Sequence, residues 1–98
     1  MADTKRKAQV IEMLETVIDP ELGVDIYTMG LIYDVVIISD TEIRIVMTFT
    51  TPLCPAGEMI KAEVVDSLRI LGYTEIDVEV TFDPPWRPSA ELREALGV

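Results

Sequence analysis

The sequence contains no histidine and only one cysteine, Cys54. Without imidazole, one chain cannot assemble a Ser-His-Asp or Cys-His catalytic set, nor a zinc site that draws on histidine. With one thiol it can form no internal disulfide, no CxxC pair and no four-cysteine metal site. Cations are also scarce: 8 Lys and Arg stand against 18 Asp and Glu, a formal net charge of −10. A field of that sign repels phosphate backbones and argues against nucleic-acid binding. No apolar run reaches membrane-spanning length. The basic patch Lys5-Arg6-Lys7 is followed by an amphipathic segment holding Glu12 and Glu15, where a signal peptide would have an unbroken apolar stretch. These absences point to a soluble, cytoplasmic protein with a reduced thiol and no membrane partner.

What is present suffices for a core. Hydrophobic residues make up 49% of the 98, which disfavours disorder, and the length suits one domain over residues 1–98. Val10, Met13, Leu14, Val17 and Ile18 recur at helical spacing and predict a helix over 5–18, ending near Asp19 because Pro20 disfavours the α conformation of its predecessor. Residues 19–30 read as a loop with Pro20, Gly23 and Gly30. Leu31 to Ile38 is a β-branched run and predicts a strand, followed by a turn at Ser39-Asp40-Thr41. In the next strand Ile43, Ile45, Met47 and Phe49 should face the core, and Glu42, Arg44, Val46 and Thr48 should face outward.

A loop over 50–57 precedes a second helix carrying Ile60, Val64, Leu68 and Leu71 on one stripe, stopped by Gly72 in a left-handed cap. Ile76, Val78, Val80 and Phe82 then alternate with Glu75, Asp77, Glu79 and Thr81 in a third strand. Asp83-Pro84-Pro85-Trp86 ends it, and Ser89 caps a short last helix to about Leu96. The order α-β-β-α-β-(α) implies an α+β fold: a two-layer α/β sandwich with a small mixed three-stranded sheet and the helices on one face. The other face, with Glu42, Arg44, Glu75, Asp77 and Glu79, should be solvated.

Three constellations carry candidate chemistry. Asp19-Pro20-Glu21-Leu22 sets two carboxylates on a rigid bend. They could ligate a metal or act as acid and base, but composition alone reads them as a helix stop with two solvated charges. Thr50-Thr51-Pro52-Leu53-Cys54-Pro55 holds the only thiol where a strand becomes a helix. With Pro55 at the first helical position, Cys54 would be the cap residue, a placement that favours thiolate, with the Thr50 and Thr51 hydroxyls nearby. A free cysteine is otherwise a small buried hydrophobe, yet a proline-flanked junction is an odd place for filler, so we take Cys54 as functional. Asp83-Pro84-Pro85-Trp86 offers Trp86 either as a partner-binding anchor or as an indole that folds back on the core edge, and we favour the second.

Asp19-Pro20-Glu21-Leu22-Gly23, Met29-Gly30-Leu31-Ile32-Tyr33, Thr50-Thr51-Pro52-Leu53-Cys54-Pro55 and Asp83-Pro84-Pro85-Trp86 together resemble, in order and spacing, the small PaaD/SufT-like family of metal–sulfur cluster biosynthesis proteins, which are iron–sulfur assembly factors. The resemblance covers nearly the whole chain, with residues 87–98 matching loosely. It implies an α/β iron–sulfur-assembly-type domain, a stand-alone member acting in the cytoplasm, and a pocket of Asp19, Glu21, Leu22, Thr50, Thr51 and Cys54. Some family members carry a cysteine-rich C-terminal extension, and others are fused to a P-loop ATPase. The sequence to Val98 shows neither that extension nor a Gly-rich phosphate loop.

The resemblance therefore implies an assembly or maturation factor that helps deliver clusters to client proteins through Cys54, with Asp19 and Glu21 as helpers. Clusters generally take four protein ligands, mostly thiolates. A cluster or iron would thus be held transiently, with further thiolates from a client or scaffold protein or from a second copy in a homodimer; a P-loop ATPase carrier is a further expected partner. Two alternatives stay open: an adaptor that docks a partner through Trp86 and the acidic sheet face without binding a cluster, and a thiol enzyme using Cys54 as nucleophile with Glu21 or Asp19 as base. The missing histidine weighs against the enzyme, since a carboxylate beside a thiolate raises the thiol's pKa.

Overall fold

Period-2 alternation over 42–47 and 75–80 produces two strands that pair in parallel, and everything else is arranged on them. A computed structural model describes residues 2–53 and 55–96, with side chains for 4–53 and 55–94. The elements are α1 (Ala2–Leu14), β1 (Ile32–Ile37), β2 (Glu42–Met47), α2 (Gly57–Ile70), β3 (Glu75–Val80) and α3 (Ala90–Leu96). This is the order the sequence predicts. The strands form one sheet in the order β1-β2-β3. β1 is antiparallel to β2, with Val35 opposite Ile45, and β3 is parallel to it, with Ile45 opposite Val78.

Ile43, Ile45 and Met47 of β2 are fully buried. They form one cluster with Val10 and Leu14 of α1, Ile60, Val64 and Leu68 of α2, and Leu92 of α3. The helices therefore cover one face of the sheet, as the one-sided patterning requires. Each fully buried aliphatic side chain contributes roughly 1.5–3 kcal/mol. On the open face Arg44 reaches Glu79 at 2.8 Å and Asp77 at 3.7 Å, while Glu42 and Glu75 stand directly opposite one another. No helix among the described residues is long and apolar enough to cross a membrane.

The ends of elements depart from the sequence expectation, each for a local reason. α1 stops at Leu14 rather than near Asp19. Its last turn tightens, with Thr16 N–H bonded to Met13 O and Val17 N–H to Leu14 O. The chain then turns extended, and Ile18 bridges Asp25. Val17 and Ile18 are β-branched, and long-range pairing takes them from the helix; Ile18 is consequently exposed.

β2 ends at Met47, so the alternation lapses at Thr48. Expected outward, Thr48 is fully buried, with its N–H donating to Leu31 O at 2.8 Å and its hydroxyl to Phe49 O. Phe49 and Phe82, expected in the core, lie beyond the ladder as a tilted pair with ring centroids 6.4 Å apart. The first is half-buried and the second exposed.

Gly72 closes α2 as predicted. Its φ is +104°, its N–H bonds Arg69 O, and the Tyr73 N–H bonds Leu68 O. These are the two bonds of a Schellman cap. Ser89 accepts the Leu92 N–H at 3.1 Å and caps α3 as expected. Along the edge strand β1 the register shifts between Ile32 and Asp34. Such a bulge re-aims the side chain it carries, and the Tyr33 hydroxyl donates to Pro84 O at 2.7 Å. Next to it, the Val35 N–H is bonded by Asp34 Oδ1.

Two of these contacts set measurable stabilities. Nothing lies within 4 Å of a Cβ placed on Gly72, so Gly72→Ala acts through backbone strain alone. It should cost about 1–2 kcal/mol, and thermal unfolding should show a Tm lower by roughly 4–8 °C for each kcal/mol. Trp86 donates its indole N–H to Met29 O at 2.7 Å. Trp86→Phe leaves that carbonyl unpaired and should cost about 1–3 kcal/mol, measured by denaturant unfolding followed by circular dichroism because the only indole is gone.

Candidate functional site

The strand directions bring separated motifs to one end of the sheet. Because β1 runs against β2 and β3 runs with it, the start of β1 and the ends of β2 and β3 lie side by side. In open sheets with parallel strands, the crevice beyond the carboxyl ends of those strands is the usual place for ligands. Backbone hydrogen bonds tie the loops there into one assembly: Thr48 N–H to Leu31 O, Leu31 N–H to Ile26 O, Ile26 N–H to Val17 O, and Asp19 N–H to Val24 O. Thr81 N–H to Met47 O joins the third segment.

Asp19 departs from the composition-based reading of two solvated charges. It is 2% exposed. Its Oδ1 accepts the backbone N–H of Glu21 at 2.8 Å and of Leu22 at 3.1 Å. Its carbonyl accepts the Gly23 N–H at 2.8 Å. Short polar side chains commonly close turns in this way. Pro20 presets one φ of the turn, and Gly23 takes φ +68°, where a side chain would be strained. The carboxylate is buried because it satisfies amides that would otherwise lie unpaired. Glu21 and Leu22 stand exposed at the tip.

Thr50 is half-buried and Thr51 exposed in the loop after β2. Cys54, the thiol on which the sequence reading centres, lies outside the described residues. The helix that follows starts at Gly57, close to the end of the expected loop, but Pro55 is in a turn rather than at the first helical position, and the cap position belongs to Ala56, which makes no side-chain cap bond. Gly57 is needed for packing, since a Cβ there would sit 3.0 Å from Phe49 Cε2. The tight approach seats the start of α2 on the aromatic pair.

Trp86 folds back, as the sequence reading favours. Its ring is half-buried against the core, and its only donor is taken by Met29 O. Sequence patterning overlooks Leu53, which is 89% exposed. Set between Pro52 and Cys54 in a turn, it belongs to no helical or strand period, so no pattern assigned it a face. Phe82 and Met59 are also exposed, on segments that border this end, at the exit of β3 and the first turn of α2. Among the described residues no group of three or more His, Cys, Asp or Glu side chains is placed to hold a metal ion. A separate small hollow lies between α1 and β1, lined by Lys7, Ile11, Tyr27 and Tyr33 among others.

Comparison with known proteins agrees with this architecture. The chain is 37% identical to a domain of unknown function from Bacillus anthracis whose crystal structure superposes with a TM-score of 0.85, covering 97% of this chain and 94% of that one. It is 44% identical over 55 residues to an Fe–S protein maturation auxiliary factor of Porphyromonas gingivalis, covering 56% of this chain and 52% of that protein. It is 45% identical over 62 residues to the Fe–S protein maturation auxiliary factor YitW of Bacillus subtilis, covering 63% of this chain and 61% of that protein. The matches thus span between half and two thirds of these two relatives. A family model described as iron–sulfur cluster assembly protein matches residues 7–85, and with the four motifs in register and the fold they share, the chain belongs to that family.

Proposed function

We propose that this protein is an iron–sulfur protein maturation factor whose working end is the loop assembly at the start of β1 and the ends of β2 and β3. The observation that carries the reading is that the strand directions bring the loops before β1 and after β2 and β3 to one end, where hydrogen bonds join Val17, Ile26, Leu31 and Thr48 to one another and Met29 and Tyr33 to residues 84–86, in a chain of this family. The names of its relatives, Fe–S protein maturation auxiliary factors, support the same role. The cargo is an iron–sulfur cluster or iron, held in transit by Cys54 with Glu21 and Asp19 as helpers; Thr50 and Thr51 supply hydroxyls.

With one thiol and no imidazole, the chain must share a cluster with thiolates of a client or scaffold protein or of a second copy. A P-loop ATPase carrier and a homodimer are the further partners consistent with that sharing. The protein acts as one domain in the cytoplasm. Leu22, Leu53 and Phe82 are exposed on the three loop segments, and a partner protein would cover them on docking there. Trp86, with its N–H already used, is a poor anchor. Asp19, buried and bonded to two amides, is equally poorly placed as the base of a thiol enzyme.

Cys54→Ser should abolish maturation of client iron–sulfur enzymes, measured as their activity in cells whose own copy is replaced by the variant. Normal client activity would remove the thiol from the mechanism. Anaerobic reconstitution with iron and sulfide should give cluster absorbance in the wild type and not in Cys54→Ser. If neither gains a chromophore, the adaptor reading is favoured over the carrier.

A further inference from the structure

We infer that Asp19 is a positioning residue: its buried carboxylate sets the Glu21-Leu22 tip in place and touches neither iron nor client. The inference rests on the loop end being the working end. It departs from the assignment of Asp19 as a helper of the thiol, and it comes from geometry. Asp19 uses all of its backbone and one carboxylate oxygen within a single short loop. Oδ1 takes the N–H groups of Glu21 and Leu22, the carbonyl takes Gly23 N–H, and the N–H goes to Val24 O. The residue is 2% exposed, whereas Leu22 is 39% exposed, so the group that holds the loop is inside and the groups that are held are outside.

The arrangement has a chemical logic. A tip of a few residues closed by a single isolated bridge, Ile18 to Asp25, has too little apolar surface to order itself. A carboxylate that accepts two N–H bonds at once forms charge-assisted bonds, stronger than those of a hydroxyl or amide. It therefore fixes the directions of the next two residues without adding bulk at the surface. Glu21 and Leu22 then present one carboxylate and one apolar side chain in a set relation to the loop at 50–53, through the hydrogen-bond chain that links Val17, Ile26, Leu31 and Thr48. Oδ1 is turned toward its own backbone, and the residue as a whole is 2% exposed, so little of the carboxylate is offered to anything outside the loop.

The test compares Asp19→Asn with Asp19→Ala. Asparagine keeps an Oδ1 that accepts the same two N–H bonds but cannot act as an anionic ligand or as an acid or base. Two readouts are taken on each folded variant: hydrogen exchange of the Glu21 and Leu22 amides by NMR, and client enzyme maturation in cells. The asparagine variant should keep both amides protected, less strongly than the carboxylate but well above the alanine variant, and client activity within about threefold of wild type. The alanine variant should lower the protection at both amides at least tenfold, since each lost charge-assisted bond shifts the opening equilibrium by about a factor of ten or more, and client activity should fall with it.

If Asp19→Asn keeps the amides protected but abolishes maturation, the carboxylate itself meets the cargo and the inference is wrong. If Asp19→Ala leaves both amides protected, Asp19 is not the brace. Should Asp19→Ala fail to fold, the asparagine variant still decides through its own pair of readouts. Failure of the broader function is seen separately: normal maturation in Cys54→Ser would reject that reading, and the amide measurements would still decide whether Asp19 holds the tip.

Discussion

The parallel ladder between β2 and β3 is the constraint on which the rest depends. β2 is hydrogen-bonded on both sides and supplies three fully buried side chains from one face. A parallel neighbour cannot be reached by a tight turn, so the chain must cross over the sheet, and α2 is that crossover. The crossover leaves from the end of β2 and returns so that β3 finishes at the same end. Since β1 is a hairpin partner, it begins there as well. The meeting of three distant segments is thus a consequence of strand direction, and it would hold for many loop sequences. What the family adds is the residues placed on those loops.

Regular elements were legible from the sequence because a single periodicity governed each. The alternation in β2 and the stripe of Ile60, Val64 and Leu68 predict which side chains are buried, the alternation in β3 predicts which are half-buried against the core, and Gly72 and Ser89 mark their helix ends by chemistry that acts over three or four residues. The misread positions are those where a distant partner decides. Val17 and Ile18 fit a helical stripe, but pairing of 17–19 with 24–26 draws them out of α1. Thr48 fits a strand face, but the bond to Leu31 turns the chain before its place in the alternation matters. Pro55 suits a helix start, but close packing of Gly57 on Phe49 sets the start two residues on.

The candidate site divides along the same line. Its motifs could be read from the resemblance, whereas the burial of Asp19 beside an exposed Glu21 could not. Two carboxylates separated by one proline look equivalent in a sequence. Their difference lies in which of them faces the amides of the turn, and that depends on the conformation of residues 20–23. Net charge is another property whose placement needed coordinates. Arg44 meets two of the acids across β3, but Glu42 and Glu75 face each other with no described cation between them, so the open face keeps a strong negative field.

The bulge on β1 and the bond from Asp34 to the Val35 amide carry a consequence for assembly. An outer strand with free donors invites a strand from another molecule and, by repetition, fibres. Here one donor is already taken by a neighbouring carboxylate, and the shifted register between Ile32 and Asp34 interrupts the straight run that such pairing needs. The sheet is thereby discouraged from growing at its β1 edge. The protection is built into the strand that pairs antiparallel with β2; the other outer strand, β3, carries no such shift in its register.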